Sequence, residues 1–132
     1  MSDFRSHLEA LRDGLLRLHK SLLELQRAMY QRDVAPITTT GQYLNLVLND
    51  PAFLWLRELS AFIVIIDEAL AQKTPPATPE DAERLIVQAR ALLSPSEDGI
   101  GFARAYFDIM QRDAAAVLAH RDMLQVMNGL AE

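Results

Sequence analysis

The chain has 132 residues, a formal net charge of −5 and no cysteine. This length suits one domain with a real hydrophobic core, so we interpret residues 1–132 as a single domain. The lack of cysteine excludes disulfides, thiolate metal sites and cysteine nucleophiles, and an acidic chain without a basic stripe does not suit nucleic acid or anionic membranes as partners.

The first predicted helix covers residues 2–32, with Ser2 or Asp3 as its N-cap. Its apolar residues recur at alternating steps of four and three, which is the a/d seam of a heptad repeat. The seam consists of Phe4, Leu8, Leu11, Leu15, Leu18, Leu22, Leu25 and Met29. A second stripe of Leu16, Leu23 and Tyr30 lies on a neighbouring face, and the polar residues Arg12, His19 and Gln26 run between the two stripes. Two stripes predict two neighbours, in this chain or in a second one.

A short helix is predicted over residues 42–49, capped by one of the threonines at 38–40. The next helix is predicted over residues 50–73, because Asp50 is a good N-cap and Pro51 fits the first helical position. Residues 52–66 are apolar around almost the whole helix, which is typical of a buried element. We therefore expect the other helices to pack around this one.

Two further helices complete the prediction. Thr78, Pro79 and Asp81 form the start signal of an amphipathic helix that ends near residue 93. Residues 94–100 predict a short helical turn or a loop, followed by a last helix over residues 101–128 with two apolar stripes. Its alanines at 114–116 and 119 suggest close contact with a bulky neighbour such as Trp55 or Phe62.

Together these elements predict an all-α fold. Short connections make sequential helices antiparallel neighbours. We expect an up-down-up-down four-helix bundle with one additional short helix.

The sequence holds no recognisable catalytic motif and no metal-ligand spacing. A di-iron bundle needs Glu-x-x-His pairs, and neither His7, His19 nor His120 has a glutamate three residues before it. His19 and His120 are weak metal candidates that only a three-dimensional cluster would support. We expect no catalytic residue and no cofactor, and our interpretation leans away from an enzyme.

The strongest ligand-site candidates are Tyr43, Trp55, Arg57 and Asp67. Arg57 lies in an apolar helix near the one tryptophan, so it could mark a pocket for an anionic ligand at the end of the bundle. The structural alternative is that Arg57 and Asp67 belong to the helix's outward polar line. Both interpretations stay open at this point.

The second apolar stripes suggest a partner surface. Its candidate residues are Leu16, Leu23, Tyr30, Met123, Met127 and Leu130. Exposed apolar patches mark interaction sites, but neighbouring helices of the same chain could also cover these residues. The expected partner is a second copy of the chain or another protein.

The sequence predicts a cytoplasmic protein that neither enters nor crosses a membrane. The first fourteen residues carry charges throughout and contain no apolar core of a signal peptide. The longest uncharged apolar run of the central helix, residues 59–66, is far shorter than the roughly 20 residues of a membrane span.

Residues 41–44, 49–57 and 65–68 resemble a group of small bacterial all-helical proteins with no assigned function. The resemblance covers about the first half of the chain. It implies a bacterial helical protein, and it brings no catalytic residues to these positions.

The leading functional hypothesis is a non-enzymatic helical scaffold or interaction protein that self-associates. The alternative is a small-molecule-binding or enzymatic bundle, metal-assisted in one form, with a pocket near Trp55 and Arg57. An enclosed cavity with convergent polar groups would favour this alternative.

Overall fold

The computed structural model describes residues 4–130, and most of that range is helical. The helices are α1 (Phe4–Asp33), α2 (Thr40–Asn49), α3 (Pro51–Leu54), α4 (Arg57–Ala71), α5 (Pro79–Leu92), α6 (Gly101–Arg112) and α7 (Ala114–Gly129). The predicted all-α class is confirmed, while the predicted cap at Ser2 or Asp3 lies outside the described residues. No helix of residues 4–130 is long and apolar enough to cross a membrane.

The central element is α1, since α3, α4, α5 and α7 all pack against it. The predicted heptad seam of α1 supplies much of the core, with Leu8, Leu11, Leu15 and Leu22 fully buried. The expectation that residues 50–73 form the centre was wrong. On α4 one stripe is buried against the core, whereas Val64 and Ile65 are 53% and 48% exposed.

The predicted helix over residues 50–73 is divided into α3 and α4. Asp50 caps α3 by accepting a hydrogen bond from the Ala52 N–H at 2.9 Å, with Pro51 in the first turn, as predicted. The chain then turns at Trp55 and Leu56 before α4 begins. This turn places Leu56 in the core, where it is 3% exposed, and Trp55 against α1.

The predicted last helix is also divided, at Asp113. This residue has an extended backbone, with φ −144° and ψ 122°, and its side chain accepts a hydrogen bond from the Ala115 N–H at 2.9 Å. Asp113 is therefore the N-cap of a new helix, and α6 packs against α7. Of the predicted alanine patch, Ala114 and Ala115 are exposed, whereas Ala116 is buried and Ala119 is partly buried against the core. Trp55 packs on Phe102 of α6.

The other predicted helix starts are confirmed. Thr39 caps α2 by accepting from the Gln42 N–H. Thr78 and Asp81 form a reciprocal capping box at α5, with Pro79 in its first turn. The loop before α6 ends at Gly101, whose φ of 61° lies in the left-handed region that glycine adopts without a steric penalty.

Candidate functional site

A line of polar contacts follows the seam between α1 and α4. Its α1 residues are seven positions apart, so they lie on one face of the helix between the two apolar stripes. The contacts are Arg5 Nη2 to the Leu70 carbonyl at 2.7 Å, Arg12 Nη1 to Asp67 Oδ1 at 3.4 Å, His19 Nε2 to Ser60 Oγ at 2.8 Å, and Trp55 Nε1 to Gln26 Oε1 at 3.0 Å. The partner's number falls as the α1 number rises, so α1 and α4 are antiparallel.

His19 and Ser60 form the contact of this polar line that most resembles a catalytic pair. Burial lowers the pKa of His19, so its neutral form, which could accept the Ser60 proton, is favoured at pH 7. A catalytic triad also needs a carboxylate on the second ring nitrogen. No carboxylate among residues 4–130 hydrogen-bonds His19. The geometry therefore supports a structural contact between two helices.

Trp55 lies beside a shallow cleft, which we call the Trp55 cleft. Its volume is about 210 Å³, and its walls include Gln26, Met29, Trp55, Asp108, Ile109 and Arg112. The indole N–H is held by Gln26, and its ring packs on Phe102 at a centroid distance of 5.5 Å. The two charged residues are already paired, Asp108 with Arg104 at 3.1 Å and Arg112 with Asp33 at 3.0 Å.

The other predicted ligand residues do not line this cleft. Arg57 is exposed, and its Nη2 donates to the Leu48 carbonyl at 2.9 Å, which links α4 to the end of α2. The Tyr43 ring packs on Phe53 at 6.1 Å, and the Arg27 guanidinium lies 4.3 Å above it.

Asp67 is also apart from the cleft. It is exposed and pairs with Arg12. Tyr43, Trp55, Arg57 and Asp67 are therefore not brought together into one site.

The two candidate metal ligands have other partners. His19 contacts Ser60, and Nδ1 of His120 lies 2.7 Å from the Tyr106 hydroxyl. Within the described range, no three or more His, Asp or Glu side chains are grouped where they could hold a metal ion.

The candidate interface on the last helix is largely part of the core. Met123 and Met127 are 2% and 1% exposed, because they pack inside this chain, with Met123 against Gly14 of α1. Leu23 and Leu130 are partly buried against the core. This corrects the prediction of a partner surface at Met123 and Met127.

On the α1 stripe, the candidates differ in exposure. The Tyr30 ring packs on Phe53 at 5.8 Å. Leu16 is 46% exposed, so of the six candidates it is the one that most resembles a free surface residue.

Two further clefts lie on α5. The first, which we call the α4–α5 groove, has a volume of about 350 Å³ and is lined by Glu58, Ala61, Phe62, Ile65, Gln88 and Leu92. The second, which we call the His120 cleft, has a volume of about 280 Å³ and lies between the end of α5 and one face of α7. Its polar residues are Arg90, Ser94 and His120.

The chain matches no protein-family model, no curated protein and no solved structure. The resemblance of residues 41–68 to small bacterial helical proteins stays a prediction. The function is therefore inferred from the clefts and exposed surfaces of the chain itself.

Several of these features were not predicted from the sequence. Tyr106 and His120 are fourteen positions apart, and they meet only because the chain reverses at Asp113. The α4–α5 groove was missed because residues 52–66 were expected to be buried on all sides. Phe62 is buried and Ile65 is exposed because only some faces of α4 are covered by other helices. The sequence of α4 does not specify how many helices pack against it.

Proposed function

We propose that the protein is a non-enzymatic interaction or scaffold protein that self-associates as a homodimer through the α4–α5 groove. The observation that carries this proposal is the groove itself. Phe62, Ile65 and Leu92 give it apolar walls. An apolar groove between two helices is a common site for a partner's apolar side chains.

The two helices that form the groove also carry exposed apolar side chains. Val64 and Ile65 on α4 are 53% and 48% exposed, and Val87 on α5 is 60% exposed. Exposed apolar side chains that group together mark an interaction site more often than single scattered ones do. Burying these side chains would stabilise a complex by removing apolar area from water.

The favoured partner is a second copy of the chain. A two-fold interface uses the same surface on both subunits, so that surface must offer both a depression and projecting groups. The α4–α5 pair offers both, since Ile65 lines the groove and is 48% exposed, and the two helices also carry the exposed Val64 and Val87. The α1 face around Leu16 has an exposed leucine, but no groove among those described includes it.

The scaffold of this proposal is an up-down-up-down four-helix bundle. The contacts of α1 with α4 run antiparallel. Arg90 of α5 contacts Met127 of α7, and Tyr106 of α6 contacts His120 of α7. This order supports α5 and α6 as successive parts of one antiparallel neighbour of α7. A cytoplasmic setting in a bacterium is part of the proposal.

Sedimentation velocity between about 1 and 100 μM tests the dimer, because this range detects dissociation constants that correspond to roughly −8 to −5 kcal/mol of binding free energy. We expect a concentration-dependent dimer for the natural chain. Ile65→Glu should raise the dissociation constant at least about tenfold, since it would bury a charge in the interface. Circular dichroism of each variant checks that the helices are retained.

Ile100→Glu is the matched control, because Ile100 is 88% exposed in the loop before α6. It introduces the same charge and should leave the dissociation constant unchanged. A natural chain that stays monomeric at 100 μM would overturn the proposal. So would a dimer that dissociates with Leu16→Glu but not with Ile65→Glu, since that result would place the interface on α1.

The second candidate function is small-molecule binding at the Trp55 cleft. Its support is that the cleft combines an indole, the amide of Gln26 and the guanidinium of Arg112 within about 210 Å³. Trp55 is the only tryptophan, so its fluorescence reports on this cleft alone. Some compounds of a fragment library should then change the Trp55 fluorescence saturably, and Arg112→Met should abolish this change. A library without any such compound would contradict this function.

A further inference from the structure

The His120 cleft is built differently from the other two. Leu93, Leu124 and Met127 give it apolar walls, and Arg90, Ser94 and His120 supply its polar groups. No carboxylate is among the described residues that line it. By contrast, the Trp55 cleft contains Asp108 and the α4–α5 groove contains Glu58.

Arg90 is half-buried and positioned by neutral groups. Its Nη2 donates to the Met127 carbonyl at 2.8 Å, and its Nη1 donates to Asn128 Oδ1 at 3.3 Å. Arg90 forms no ion pair with any carboxylate in residues 4–130. Within residues 4–130 no carboxylate therefore balances the charge of the guanidinium, and the guanidinium has further N–H groups to donate.

Tyr106 determines which nitrogen of His120 carries a hydrogen. Tyr106 is 0% exposed, and burial raises the pKa of its hydroxyl, so the hydroxyl stays protonated. Its described partner is Nδ1 of His120, at 2.7 Å. Burial also lowers the pKa of His120, which favours the neutral ring at pH 7. The buried hydroxyl has no other described acceptor for its hydrogen, so we assign it as the donor to Nδ1, which places the ring hydrogen on Nε2.

Nε2 of His120 is at least partly accessible to solvent. It has no hydrogen-bond partner in residues 4–130. Every fully buried polar side-chain atom of that range does have a partner, so Nε2 is not fully buried. Because His120 and Arg90 both line the cleft, the Nε2–H and the guanidinium are the donors that a ligand bound there would use.

We propose that the His120 cleft binds the carboxylate of a small monocarboxylic acid with a short apolar tail. The carboxylate accepts hydrogen bonds from Arg90 and from Nε2 of His120, since charge-assisted bonds of this kind are among the strongest in proteins. The tail packs mainly against Leu124, the partly exposed member of the apolar lining. This site is separate from the α4–α5 groove, so it does not depend on the proposed dimer.

The test is a titration of the ¹⁵N-labelled full chain with hexanoate at pH 7, followed by amide chemical shifts. We expect saturable shifts around residues 90–95 and 120–127, with a dissociation constant of about 1 mM. Hexanamide has the same tail and no charge, and it should bind at least about tenfold more weakly. This comparison uses the natural chain, so it does not depend on any variant folding.

Two variants assign the donors. Arg90→Met should weaken hexanoate binding about tenfold or more, whereas Arg84→Met, which removes an exposed arginine from the same helix, should not. Tyr106→Phe should weaken binding and move the imidazole ¹⁵N shifts toward a mixture of tautomers. Three results would each overturn the proposal: no saturable shift, equal binding of hexanamide, or equal effects of Arg90→Met and Arg84→Met.

Discussion

Ser60 Oγ lies 2.8 Å from His19 Nε2, across the seam between α4 and α1. Tyr106 holds His120 in a similar way from α6. Burial lowers the pKa of both histidines below the value of 6.5 that an unperturbed histidine has. Both rings are therefore neutral in the folded chain at a pH where the unfolded chain already binds protons.

The first prediction concerns stability between pH 7 and pH 5. As the pH falls below about 6.5, His19 and His120 take up protons more readily in the unfolded chain, so the free energy of unfolding decreases. Urea unfolding at half-unit pH steps measures this slope. The double variant His19→Gln/His120→Gln should have a shallower slope.

Two carboxylates with lowered pKa values affect the free energy of unfolding at lower pH. Arg112 lowers the pKa of Asp33 through a side-chain hydrogen bond, and the Thr78 backbone N–H lowers that of Asp81. The stability that these two contribute is lost as the pH falls below their ordinary value of 3.8. Identical slopes for the natural chain and the double variant between pH 7 and 5 would contradict the prediction for the histidines.

The second prediction concerns the hydrogen bond between Trp55 and Gln26. Trp55→Phe keeps an aromatic ring near Phe102 but removes the N–H, and Gln26→Met keeps the side-chain length but removes the acceptor. Each change should lower the free energy of unfolding, and a double-mutant cycle should give a coupling of about 1 kcal/mol. If the two losses add within about 0.3 kcal/mol, the bond does not stabilise the fold.

The third prediction concerns the close approach of α1 and α7 at Gly14. A Cβ on Gly14 would lie 2.9 Å from Met123 Sδ and 3.1 Å from its Cε. Gly14→Ala should be close to neutral, because the flexible Met123 can move and alanine favours the helix by about 1 kcal/mol. Gly14→Val should lower the free energy of unfolding by about 1–3 kcal/mol, since overpacking moves the helices apart.

Gly41 is the control for Gly14. A Cβ there would meet no atom within 4 Å, so Gly41→Ala should stabilise the chain by up to about 1 kcal/mol. Urea unfolding measures all three variants. If Gly14→Val were as stable as the natural chain, the tight contact with Met123 would not exist in solution.

The fourth prediction concerns the N-cap of α7. Asp113→Ala removes the acceptor for the Ala115 N–H and should cost about 1 kcal/mol of stability, whereas Asp113→Asn should cost only a few tenths because asparagine caps equally well. Thermal unfolding by circular dichroism compares the two. Equal losses would mean that the carboxylate charge, and not the cap, is what matters at this position.

The helix starts were predictable because a cap depends on residues within one turn. Thr39, Asp50 and Thr78 each accept the expected backbone hydrogen bond. The breaks at Trp55 and Asp113 were not predicted. The first places Leu56 in the core and Trp55 against Gln26, and the second places an aspartate cap ahead of alanines that favour a continuous helix.

The sites were less predictable than the helices. Arg12, His19 and Gln26 could be placed on one face of α1 from their spacing alone. Their partners Asp67, Ser60 and Trp55 could not be assigned, because the distances depend on how α4 docks. The partners of Arg90 and Tyr106 lie on α7, and no local pattern connects these residues to that helix.

The polar contacts between α1 and the segment from Trp55 to Leu70 affect how α1 pairs with α4. They are made by Arg5, Arg12, His19 and Gln26 of α1. An apolar heptad repeat presents an equivalent surface every seven residues. With leucines alone, α4 could therefore pack one repeat away with little loss of packing free energy. The polar contacts remove this degeneracy, because each joins a different pair of chemical groups. A slip of one repeat would set Arg12 against Ser60 and His19 against Trp55, and Gln26 would lose its indole. The polar residue in each heptad of α1 thus specifies the register in which α4 packs against it.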